Sequence, residues 1–173
     1  MKLIEFDGVE FKVADEAFLV RQIRQLFEAD KSKKKESFWQ QISYLWFMCD
    51  PRSTYMYLVD EQKRAAEIKK QEGLGEDWEP SELLKEAMNV YRSHTITTSA
   101  ILLEGMRKGI DKLSAFLGET SFSEKTVASM TSALKQIPEL AKALVEAEHA
   151  LAKDFATDET ARGTAVKAIG EDI

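Results

Sequence analysis

Hydrophobic and polar positions follow two rhythms along this chain, and each change of rhythm marks an element. Leu3-Ile4-Glu5-Phe6 and Val9-Glu10-Phe11-Lys12-Val13 alternate around Asp7-Gly8. Alternation is the period of a half-buried strand, and Asp-Gly favours a two-residue hairpin turn, so the first residues predict a short β-hairpin. From Asp15, a potential N-cap, apolar residues recur at helical spacing (Phe18, Leu19, Ile23, Leu26, Phe27) and predict a helix to about Ala29. Lys31 to Lys35 follow, flanked by acidic residues and free of aromatics, which reads as a solvated loop between helices.

A second helix is expected from Lys35 to Asp50, burying Phe38, Ile42, Leu45, Trp46 and Cys49 and ended by Pro51. Asp60 can cap a third helix, which Gly73 and Gly75 end, leaving a loop with Trp78 as its anchor. Pro80-Ser81-Glu82 opens the longest stretch without proline, Ser81 to Leu117, with a kink or break expected at Thr95-Ile96-Thr97-Thr98-Ser99 or at Gly105 and Gly109. A last helical region runs from Ser123 to about Phe155, bent or split at Pro138. The fold class that follows is mostly α, a helical bundle with one or more long helices and a short N-terminal β-hairpin. The expected division is a hairpin arm over 1–14, a helical domain over 15–156 and a flexible acidic tail over 157–173, with hairpin and tail as arms that order only against neighbours. No repeat of 20 to 50 residues is visible, which argues against a solenoid.

Composition narrows the function classes. With 44% hydrophobic residues in 173, the chain can bury a substantial core. A net charge of −6 disfavours a general binder of nucleic acid, because phosphate affinity comes from clustered Lys and Arg. The single cysteine, Cys49, leaves no internal disulfide and no cysteine zinc cage, and fits a reducing compartment. The N-terminus carries acid where a signal peptide needs an apolar core, and no run of about 18 apolar residues occurs, so a soluble, intracellular protein without a membrane partner is expected. His94 and His149 belong to no metal-ligand spacing, and Gly73-Leu74-Gly75 lacks the strand, third glycine and lysine of a phosphate loop. No catalytic residue, metal or cofactor is expected, and the chain reads as a non-enzyme.

One stretch stands out. Tyr44-Leu45-Trp46-Phe47-Met48 are five consecutive large apolar residues, and five consecutive positions circle a helix axis. Such a segment is buried all round, by its own fold or by a partner. It ends in Asp50-Pro51-Arg52-Ser53, where Asp50 can accept a backbone N–H two residues on, Asp50 and Arg52 can pair, and Ser53 can bond free backbone. Aromatic, Met and Arg enrichment also marks interface centres. The candidate interface or structural corner is therefore Tyr44, Trp46, Phe47, Asp50, Pro51, Arg52, Ser53, Tyr55 and Arg64.

The run from Tyr44 to Ser53 with Tyr55, followed by Asp60-Glu61 and Arg64, resembles small virion structural proteins of large tailed bacteriophages. In these an aromatic YxxFMxD-type run, a basic-Ser pair, an aromatic and an acidic-rich helix with a central Arg come in this order. The resemblance spans about residues 38 to 74; where such proteins often have Ser-Pro before the aromatic, this chain has Ser53-Thr54. It implies a neck or head–tail connector protein, assembled in the bacterial host cytoplasm and located in the virion neck. Its partners would be copies of itself in a ring, the portal and other neck or tail proteins, with DNA only as passing cargo in a channel. Two other classes stay open: a cytoplasmic helical adaptor or regulatory protein acting as monomer or dimer, and a helical-bundle enzyme with Asp50, Arg52 and Tyr55 lining a pocket.

Overall fold

The computed structural model describes residues 3–75, 77–121, 123 and 125–156, and follows the backbone of its last helix to Gly170. The chain is mostly helical with a short antiparallel hairpin at the front, and it forms two units, residues 1–96 and 97–173. The division falls at Ile96/Thr97, within the stretch expected as one helical domain. The tail expected over 157–173 lies outside the residues whose side chains are described.

The first unit opens with strands β1 (Ile4–Phe6) and β2 (Phe11–Val13), paired Ile4 to Val13 and Phe6 to Phe11. The turn is four residues long, not two. Only Gly8 takes a positive φ, of 96°, while the Asp7 carboxylate accepts the N–H groups of Val9 and Glu10 at 3.0 and 2.8 Å. Val9 is thereby expelled from the strand and stands 85% exposed. The hairpin is not a free arm: Leu3 and Ile4 are fully buried, and Phe6 and Phe11 lie against Trp46 and Phe47.

The expected first helix is broken. A single 3₁₀ turn over Asp15–Leu19 is followed by extended Val20 and then helix α1 (Arg21–Ala29). The break turns Leu19 outward, 81% exposed, and sets Ala17, Val20 and Ile23 into the core, so burial overrides the capping signal at Asp15. Helix α2 (Glu36–Cys49) starts from Lys35 in the left-handed region, φ 54°, with no cap from its own side chain. Asp30 supplies one instead: its carboxylate accepts the N–H groups of Ser32 at 2.8 Å and of Phe38, in the first turn of α2, at 3.0 Å. Nor is Lys35 part of a solvated loop. Its ammonium bonds the carbonyls of Phe27, at 3.1 Å, and Asp30 at the end of α1, and sits 4.4 Å from the centre of the Phe27 ring.

Asp60 caps helix α3 (Glu61–Gln71), accepting the N–H groups of Gln62 and Lys63. Gly73, at φ 68°, ends it, and Leu74 N–H returns to the Lys69 carbonyl at 2.9 Å, the six-to-one bond of a Schellman motif. Trp78 lies against Tyr44, ring centres 4.7 Å apart, as the loop anchor. Helix α4 (Glu82–Thr95), capped by Ser81, completes this unit.

In the second unit, α5 (Thr98–Glu119) starts at Thr97, whose hydroxyl accepts Ala100 N–H at 3.1 Å. The long stretch therefore breaks at its β-branched cluster, while Gly105 and Gly109 stay inside α5. Helix α6 (Val127–Gly170) runs through Pro138 without being split. The two helices are joined by a short loop and share a core of Ala100, Leu103, Ala147, Leu151 and Phe155; Arg107 reaches Glu148 at 3.2 Å. Packed side by side and joined end to end, the two helices form an αα-hairpin.

Candidate functional site at the Asp50 corner

Helix α2 is the centre of the first unit. Tyr44, Leu45, Trp46, Phe47, Met48 and Cys49 are each no more than 4% exposed, so the segment is buried all round within one chain. A helix that ends inside a core has a specific difficulty: its last carbonyls lack intrahelical partners and water is excluded. The corner residues supply those partners. The Trp46 carbonyl accepts Asp50 N–H at 2.9 Å, the Phe47 carbonyl accepts the Ser53 hydroxyl at 2.8 Å, and the Met48 carbonyl accepts the Arg64 guanidinium at 3.2 Å.

Asp50 itself is completely buried. One carboxylate oxygen accepts Arg52 N–H at 2.9 Å and Arg52 Nε at 2.8 Å; the other accepts the Arg52 terminal guanidinium nitrogen at 2.7 Å and the Tyr91 hydroxyl at 2.6 Å. Four donors match the four lone-pair directions of a carboxylate. The same guanidinium nitrogen of Arg52 donates to the Ile4 carbonyl at 3.0 Å, so the corner ties the end of α2 to β1 and, through Tyr91, to α4. Burial, then the neighbouring Asp50 charge, hold the Tyr91 phenol protonated, well above its ordinary range.

The remaining corner residues extend the fastening. Pro51 occupies the turn, where Ser53 N–H meets the Asp50 carbonyl at 2.9 Å. Ser53 also accepts Tyr55 N–H at 3.2 Å, starting a 3₁₀ turn over Thr54–Tyr57. The Tyr55 ring lies edge-on to Phe47 at 5.0 Å and its hydroxyl donates to Glu72 at 2.7 Å. Arg64, buried, also donates to the Leu58 carbonyl through Nε and a terminal nitrogen, at 2.9 and 2.7 Å. Tyr44 alone turns toward Trp78, away from these contacts. Tyr91, Ile4, Glu72 and Leu58 complete the site without having been singled out in the sequence, because their contacts depend on the tertiary fold.

The chemistry of this site is that of a fastener. Burial pushes the Cys49 thiol up to about 12, so it stays protonated and serves as a small apolar residue. The Trp46 indole N–H has no hydrogen-bond partner and is surrounded by Phe6, Phe11 and Phe47. Among the described residues, no three His, Cys, Asp or Glu side chains converge on a possible metal position, and no helix is long and apolar enough to cross a membrane. Comparison of the chain with protein-family models, curated proteins and solved structures returned no match.

Proposed function

We propose that this protein is a non-enzymatic structural subunit that works by assembling with copies of itself, and that its place is the neck or head–tail connector of a tailed-phage virion, beside the portal or other neck and tail proteins. The virion location rests on the resemblance of residues 38 to 74. The observation that carries the structural role is the saturation of Asp50. Its four accepted hydrogen bonds leave no free lone pair for a substrate proton or a metal, so the most chemically loaded position in the chain acts on its own fold.

The corner is not the assembly surface in this reading, since its aromatic side chains are already covered within one chain. Contact with other copies falls instead to the α5–α6 hairpin, which exposes Ile101, Leu102, Phe116, Leu134 and Val145. The internal burial of Tyr44 to Cys49 also favours a second reading, a helical adaptor acting as monomer or dimer. Light scattering and native mass spectrometry across a concentration series, with negative-stain imaging, separate the two. A defined multimer with a central hole, or a ring formed only with a portal-like partner, is the expected result; a monomer indifferent to concentration and to such partners would hand the case to the adaptor.

A further inference from the structure

We draw no further inference here: the strongest candidate, the patch of apolar residues exposed on α5 and α6, carries nothing beyond the assembly already proposed, because nothing in the structure shows what covers it.

Discussion

Asp50 depends on its partners more than any other residue here, since a fully buried carboxylate is tolerable only while its charge is answered. Replacing Arg52 with Ala removes three of the four hydrogen bonds that Asp50 accepts if the backbone turn is lost with the side chain, and two if it is kept. Either way a buried charge is left largely uncompensated, and Arg52→Ala is expected to lower unfolding free energy by about 3–5 kcal/mol, against less than about 0.5 kcal/mol for exposed Lys70→Ala. Chemical denaturation with both variants checks this; equal, small losses would remove the corner from the account. Trp46 makes the opposite case. Its indole N–H is already unpaired, so Trp46→Phe gives up volume and ring contacts but no hydrogen bond. A loss under about 1.5 kcal/mol is expected by the same measurement. The local part of this site was legible in the sequence, because Asp50 to Arg52 and Ser53 to Tyr55 are contacts over two residues that turn chemistry dictates. Tyr91, 41 residues from Asp50, and Ile4, 48 residues from Arg52, were not, because only the assembled core brings them there.

At the scale of elements, helix ends set the architecture. Arg64 lies in α3 but serves the end of α2, where it answers the Met48 carbonyl, and it also holds the Leu58 carbonyl. Arg64→Met keeps much of the apolar stem and removes the donors, which isolates the capping role; a loss of about 3 kcal/mol is expected in denaturant titrations. Asp30 does the same for the start of α2. The Phe38 N–H first, and Ser32 next, pull its carboxyl down to about 2. A carboxylate whose folded pKa lies below its unfolded value, near 3.9, stabilises the fold above that unfolded value and ceases to as pH falls through the folded one. Stability therefore falls between about pH 4 and pH 2, and Asp30→Asn should flatten that part of the melting profile while leaving the profile above pH 5 parallel to wild type. The elements themselves were readable from periodicity and caps, Asp60, Ser81 and Gly73 among them. Misread were places where tertiary contacts outvote local signals: the four-residue turn at Asp7, the break at Val20 that buries Ala17 and Ile23, and the capping role of Lys35. The break at Ile96 and Thr97 was one of two readable positions, and Thr97's capping hydroxyl explains why the chain uses it rather than the glycines.

For the whole molecule, the two units divide the work. Residues 1–96 close their core around α2, and the corner uses its polar groups to make that closure possible. Residues 97–156 leave apolar faces outside. An excess of aromatic residues in a sequence signals burial without saying by what, which is why the stretch from Tyr44 to Tyr57 could be taken for an interface until its neighbours were known. The aromatic corner is closed within one copy, and under the proposed function the hairpin is the surface that meets another. Hydrogen–deuterium exchange of the full chain, read segment by segment from dilute to concentrated solution, tests this division most directly. Residues 44–53 should be strongly protected at every concentration, and protection over 98–119 and 127–145 should rise as the chain is concentrated. Protection of 44–53 that is weak in dilute solution and appears only on concentration would contradict this division.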